Sequence, residues 1–181
     1  MRPSENPAYG FRRPYNPIFA WLFKKMMDTE LCPCQSGKPY AACCALFHDG
    51  TNPATAEELM RSRYSAYVLQ KTAYLVETTV PSQRHLLDVE GMAEWGRSAQ
   101  WLGLDVSAHI PKIGKHHAQV EFAAHFRQNG ETYCHRERSV FVNIGGRWYF
   151  IDPTVPLPAM KQACLCGSGK KFKACCGRFF R

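Results

Sequence analysis

The chain reads as an α+β protein with a small cysteine module near each end, and three observations predict this. Four cysteines at C-x-C-x(8)-C-C spacing occur twice, as Cys32, Cys34, Cys43 and Cys44 and again as Cys164, Cys166, Cys175 and Cys176. Between the two sets the hydrophobic period is first about 3.6 residues and then, from Trp101, 2 residues. Helices followed by a run of alternating strands predict an antiparallel sheet with one face buried under the preceding helices.

Taken in order, residues 1–30 form an N-terminal tail with Pro, Arg and aromatic residues. Its run Ile18–Phe23 is too short to span a bilayer and lacks a small-residue cleavage site, so it reads as an apolar tail docking on the globule. The first cysteine module occupies 31–48, and Asp49-Gly50-Thr51-Asn52-Pro53 is a turn-rich linker. The middle domain spans 53–153. Thr55 with Glu58 makes a capping box, and Leu59, Met60, Tyr64, Tyr67 and Val68 recur at helical spacing, which predicts a helix over 54–70. A short second helix covers 72–79 before Pro81, and Asp88 caps a third with Met92 and Trp95 on its inner face.

Leu102 to Ile110, Val120 to Phe126, Val140 to Ile144 and Trp148 to Ile151 then predict four strands, with Asn129-Gly130 and Gly145-Gly146 as hairpin turns. His116-His117 falls in a further turn and is expected to be exposed. Pro153, Pro156 and Pro158 form a stiff linker into the second module, 160–177, which reads as an appendage.

Two pairs of thiols folded together by a short Gly-containing turn suit a tetrahedral metal, and zinc is the expectation at both sites. A disulfide framework fits badly, because adjacent cysteines bridge only with strain and 181 residues suffice for a core. Four thiolates close the metal shell, which points to structural rather than catalytic zinc. The formal charge of +8 falls to about +4 once eight thiolates and two zinc ions are counted. Gly-Ser-Gly-Lys at 167–170 lacks the upstream Gly and leading strand of a phosphate loop. Cys134 lies outside both sets and reads as a bystander.

Both cysteine segments resemble the SEC-C motif, a small zinc-binding module also found at the C-terminus of the SecA translocation ATPase, where it engages a chaperone. The second copy matches throughout; the first has Gln35 where the motif usually has Gly, a strained choice if that residue needs a positive φ. The order of helices and meander is similar to nuclear transport factor 2-like folds, whose cone can enclose a pocket. Leu59–Tyr64, Trp101–Leu104, Glu137–Phe141 and Trp148–Asp152, flanked by the two motifs, resemble the YchJ family of bacterial proteins over residues 31–177.

These resemblances imply a cytoplasmic protein that acts through interaction. Its modules would present Lys38, Tyr40, Lys170, Lys171, Phe172 and Lys173 to a protein partner in secretion, chaperone or quality-control work. Nucleic acid or ribosome binding ranks below this, since no stacking aromatic stripe or recognition helix is visible. The alternative is a small-molecule enzyme or ligand binder using the cone. Polar candidates for its lining are Arg61, Arg63, Tyr64, His85, Asp105, His125, His135, Glu137, Arg138 and Asp152, with Glu137 and Arg138 on opposite faces of their strand. No residue is assigned a catalytic role.

Overall fold

The structure is a computed structural model that describes residues 30–180. The apolar run at 18–23 lies outside the described residues. Among the described residues four α-helices, α1 (Cys44–His48), α2 (Ala56–Val68), α3 (Thr72–Glu77) and α4 (Val89–Ser98), precede four strands. These are β1 (Gln100–Gly114), β2 (His117–Gln128), β3 (Glu131–Ile144) and β4 (Arg147–Ile151), paired antiparallel in the order β1-β2-β3-β4. Among the described residues no helix is long and apolar enough to cross a membrane.

The predicted signals act where expected. Thr55 Oγ1 accepts the Glu58 N–H while the Glu58 carboxylate accepts the Thr55 N–H, closing the capping box of α2. Asp88 accepts from Gly91 N and starts α4. Asn129-Gly130 and Gly145-Gly146 all have positive φ, the backbone that tight hairpins of right-twisted strands require.

Helix α2 is the axis of the fold, buried on almost every side. Leu59, Met60 and Tyr64 pack on Leu104, Val120, Ala124, Phe141 and Phe150 of the sheet, while Ser62 and Ser65 face the first cysteine module. The sheet itself is buried on two faces near one end. Phe141 belongs to the helix side, whereas Val140 and Val142, one residue to either side, pack with Ile151 against Leu165 and Phe172 of the second module. The alternation of β3 is therefore as expected but its Val face is covered by the second module, not by helices. The second module is part of the packed core rather than an appendage, because the outer face of β3 is apolar there and needs a cover.

Bulges between Trp101 and Gly103 and between Val106 and Ala108 break the alternation of β1, leaving Leu102 exposed and Leu104 buried. Both sheet edges are engaged. The β4 edge pairs with the segment after α3, where Phe150 N donates to Thr78 O and Val80 N to Phe150 O, both at 2.9 Å. On the β1 edge, Leu104 N donates to Gln35 Oε1 of the first module at 3.1 Å.

Candidate functional site: two four-cysteine clusters and the cone between them

Each cysteine set predicted from spacing is brought to one point. The four Sγ atoms of Cys32, Cys34, Cys43 and Cys44 lie within 4.8 Å of one another, as do those of Cys164, Cys166, Cys175 and Cys176, so either cluster could hold a metal ion. Cys34 and Cys43 Sγ are 3.6 Å apart, Cys43 and Cys44 3.9 Å, Cys164 and Cys166 3.5 Å, and Cys166 and Cys175 3.6 Å. Both turns are closed by equivalent bonds, Cys32 N to Lys38 O at 2.9 Å and Cys164 N to Lys170 O at 2.8 Å. The site anticipated to need a positive φ has one in each copy: 57° at Gln35 and 72° at Gly167.

Crowded thiols cannot all ionise by themselves. Bonds from Cys34 and Cys44 hold the Cys32 thiol far below its ordinary range, and the same contacts push Cys34 up to about 11 and Cys44 further still. At the second cluster burial, reinforced by Cys164 and the neighbouring thiolates, drives Cys176 upward. A cation seated among the sulfurs would remove this conflict, as the chemistry of a four-thiol metal site demands.

The middle domain adds one donor to each cluster. Ser65 Oγ of α2 lies 3.4 Å from Cys32 Sγ, and His117 Nε2 of β2 lies 3.2 Å from Cys176 Sγ. His117 was expected in an exposed turn; instead the turn is Lys115-His116, and His117 opens β2 on the outer face, buried under Phe179. Extending the β2 alternation backward from Val120 would have placed it there. Two of the side chains expected to face a partner also point inward. Phe172 is 1% exposed, and the Tyr40 hydroxyl is bonded to His48 Nδ1 at 2.8 Å, while His48 Nε2 donates to Ser62 O. Lys38, Lys170, Lys171 and Lys173 are exposed.

Between helices and sheet lies a cavity of about 560 Å³, lined by Tyr67, Met92, Trp95, Trp101 and Phe122 and, among polar groups, by Arg63, Tyr64, His135, Glu137, Ser139 and Asp152. Glu137 is the centre of a small network: it accepts from Ser139 Oγ at 2.5 Å and from His135 Nε2 at 3.1 Å. Burial pushes the Glu137 carboxyl up, but those two bonds, with the charges of His135 and Arg63, outweigh it and hold the group below its ordinary value. The same bond raises His135. A carboxylate that orients an imidazole at a cavity wall can hold or pass a proton. Burial pushes the Tyr64 phenol up to about 12, so it stays neutral.

The other cone candidates lie elsewhere. Asp105 and His125 bond each other at 2.9 Å on the outer face, beside the exposed Cys134. Arg138 pairs with Glu121 at 2.8 Å, on the face opposite Glu137 as expected. His85 does not line the cavity. Arg61 pairs with Glu57 at 2.8 Å and donates to Cys34 O at 3.0 Å, so it secures the first module. Asp105 is absent from the cone because it alternates with Leu104 and Val106 in an unbroken stretch of β1, and those two residues take the core side.

The family model described as the YchJ middle NTF2-like domain matches residues 55–153, and the SEC-C motif matches 29–46 and 160–178. Among similar proteins, a UPF0225 protein of Actinobacillus succinogenes is 54% identical over 152 residues, covering 83% of this chain and 99% of that one. A UPF0225 protein of Haemophilus influenzae is 53% identical over 154 residues, 84% and 95% of the two chains. The crystal structure of a SEC-C motif containing protein from Psychrobacter arcticus superimposes with a TM-score of 0.78 at 43% identity, covering 85% of this chain and 99% of that one. The solution structure of a SEC-C motif containing protein from Rhodopseudomonas palustris does so with 0.61 at 41% identity, over 67% and 94%. With SEC-C motifs at both ends of a YchJ-type NTF2-like middle domain, the chain belongs to the UPF0225 family.

Proposed function

We propose that this protein binds a small molecule in the cone and that its two cysteine clusters hold structural zinc. The observation that carries the first part is the cavity itself, whose size, aromatic walls and few convergent polar groups are those of a ligand site rather than of a packed core. For the second part, zinc–sulfur bonds of about 2.3 Å in a tetrahedron put sulfurs roughly 3.8 Å apart. Two sulfur pairs in each cluster lie at 3.5–3.9 Å, close to that edge, and all four sulfurs of each cluster lie within 4.8 Å of one another. Zinc in these shells would fold the modules and fix Ser65 and His117 against the thiolates; with four sulfurs it has no position left for substrate.

The cone is tested with N-phenyl-1-naphthylamine, an uncharged dye whose emission rises in apolar surroundings. One dye per chain should bind, and Met92→Trp, which fills the cavity from α4, should abolish the signal while the protein still melts cooperatively. Unchanged dye binding in that variant removes the cone as the site. Metal analysis of reduced protein should give two zinc ions per chain.

A second reading, protein docking by the modules, is favoured by one observation: Lys170, Lys171 and Lys173 are all exposed on one turn. Reversing their charges should then abolish capture of an acidic partner without reducing metal content, since none of the three is a ligand. The burial of Phe172 and the engagement of Tyr40 leave this reading with charge alone, and so we rank it below the cone.

A further inference from the structure

The cone also carries information about the charge of its ligand. Arg63 lines the cavity with only 8% of its surface exposed, its guanidinium stacked over the Phe150 ring at 4.4 Å from the centroid. Nη1 donates to Leu75 O and Thr78 Oγ1, each at 2.7 Å, and to Thr79 Oγ1 at 3.4 Å. All three acceptors are neutral. Among the described residues no carboxylate comes within 4 Å of the guanidinium, and Nη2 and Nε have no protein partner. Nor are they sealed away, because the one enclosed and unpaired side-chain nitrogen or oxygen among the described residues is His109 Nε2. A buried guanidinium is thus fixed by one nitrogen and free at the others, beside an open cavity.

The acidic groups around that cavity are in the opposite condition. Asp88 accepts from Gly91 N at the start of α4, Asp152 accepts from Thr154 N at 2.8 Å and Thr154 Oγ1 at 2.6 Å, and Glu137 is held by His135 and Ser139. Each carboxylate has its donors close by, Asp88 and Asp152 from neutral groups and Glu137 from His135 and Ser139, whereas the guanidinium feels Glu137 and Asp152 only at a distance and keeps two nitrogens without a partner. A buried charge of this kind is costly unless something pairs with it. Resting on the reading of the cone as a small-molecule site, we infer that its ligand is a small organic monoanion, a carboxylate on an aromatic or apolar body, seated with its carboxylate on Arg63. The free Nη2 and Nε form the fork that matches a carboxylate in bidentate fashion. Trp95, Trp101, Tyr67 and Met92 receive the apolar body.

The test uses three probes of one shape, 4-phenylbutyrate, 4-phenylbutanamide and 4-phenylbutylamine, titrated against the tryptophan fluorescence of the full chain. The acid should bind at least about tenfold more tightly than the amide, and the amine most weakly. Arg63→Gln should erase the preference for the acid while leaving the amide unchanged, and Arg63→Lys should restore part of it. If Arg63→Gln does not fold, the order of the three probes on the unaltered protein still decides the matter. Equal binding of acid and amide, or a preference that survives in Arg63→Gln, overturns the inference but leaves a cone that binds small molecules. Failure of all three probes while N-phenyl-1-naphthylamine binds also overturns it; failure of the dye as well removes the cone reading on which it rests.

Discussion

The two cysteine modules share a backbone but hold the middle domain by different chemistry. Their closing cysteines have almost the same angles, φ −135° and ψ −113° at Cys43 against φ −134° and ψ −115° at Cys175. The turns between the cysteine pairs carry positive φ at matching places, Gln35 and Gly37 against Gly167 and Gly169. Outside the ligands the copies diverge. The first module docks mainly through polar contacts from Gln35, Cys34 O, His48 and Cys32 to Leu104 N, Arg61, Ser62 O and Ser65, with the half-buried Phe47 as its apolar contact on the core. The second docks through Leu165, Phe172, Phe179 and the cysteines themselves on Val80, Val140, Val142 and Ile151. Ligand spacing fixes the inside of such a module, and the residues between the ligands decide what it rests on.

Removing each metal site in turn is the strongest test of that contrast. Cys164→Ser with Cys166→Ser should unfold the second module and bare Val80, Val140, Val142 and Ile151, all buried in the intact protein. At the low end of about 1.5 kcal/mol per exposed side chain this is about 6 kcal/mol, or roughly 15 °C in the melting temperature. Cys32→Ser with Cys34→Ser should cost less than half of that shift, because mostly polar contacts are lost to water. Calorimetry of the two variants settles the order, and equal shifts would break the comparison.

Single side chains sharpen it. Phe172→Ala removes a ring that is 1% exposed and should cost about 3–5 kcal/mol. Tyr40→Phe, at the equivalent place three residues before its closing pair, removes only the hydroxyl that donates to His48 and should cost about 1 kcal/mol. Denaturant unfolding of the two variants reads both numbers, and a Tyr40→Phe cost as large as that of Phe172→Ala would break the contrast between the polar and the apolar module.

Much of this was legible in the sequence, for identifiable reasons. Cysteine spacing is a local signal, and it located all eight thiols of the two clusters. Capping at Thr55 and Asp88 and the paired positive-φ residues at 129–130 and 145–146 are also local, and they marked the helices and hairpins. What lies on each face of the sheet is not local. Period 2 shows that Val140 and Val142 share a face but not that the second module covers it, since both faces of β3 are apolar there. His117 was missed because a one-residue difference in the turn moves it from the turn into the strand, whereas the outward face of Asp105 was legible, since it alternates with the core residues Leu104 and Val106 in an unbroken stretch. The cone was legible as a possibility, and its acid–base partners His135 and Glu137 were among the candidates. That Arg63 keeps two nitrogens without a partner beside the cavity is a matter of distances no sequence prints.

The polar grip of the first module should also respond to acid. Burial holds the His48 imidazole below its ordinary value of about 6.5, so its folded-state pKa is lower than in the unfolded chain. The unfolded state then binds the proton more readily. The stability that neutral His48 contributes is complete above about pH 6.5 and is lost as pH falls toward the folded value. Protonation also takes away the Nδ1 lone pair that accepts from Tyr40. Protection of the Glu30–His48 amides, taken relative to intrinsic exchange at each pH, should therefore fall between pH 6.5 and 5, and His48→Gln should flatten that fall. Protection that does not change across this window would show that His48 does not anchor the module.

The smallest effect belongs to Gln35, the one residue at which Gln-Ser-Gly-Lys of the first turn differs from Gly-Ser-Gly-Lys of the second. Gln35 holds φ 57°, where Gly167 holds 72° in the other copy, and a side chain there is strained by about 1 kcal/mol. Its amide is well used: Oε1 accepts from Leu104 N, and the side chain fills the space over Gly103, where an added Cβ would come within 2.7 Å of Gln35 Nε2. Gln35→Gly relieves about 1 kcal/mol of strain but leaves the Leu104 N–H unpaired at a cost of about 2 kcal/mol, so the two changes partly offset and the net loss should stay near 1 kcal/mol. Gly103→Ala displaces the same amide from the opposite side and should cost a similar amount, since the far end of a side chain can swing away. Because both substitutions remove one contact, the double variant should lose little more than the larger single loss. Additive losses in that cycle would mean that Gln35 and Gly103 act separately, and that the first module is held to the β1 edge by something other than this amide.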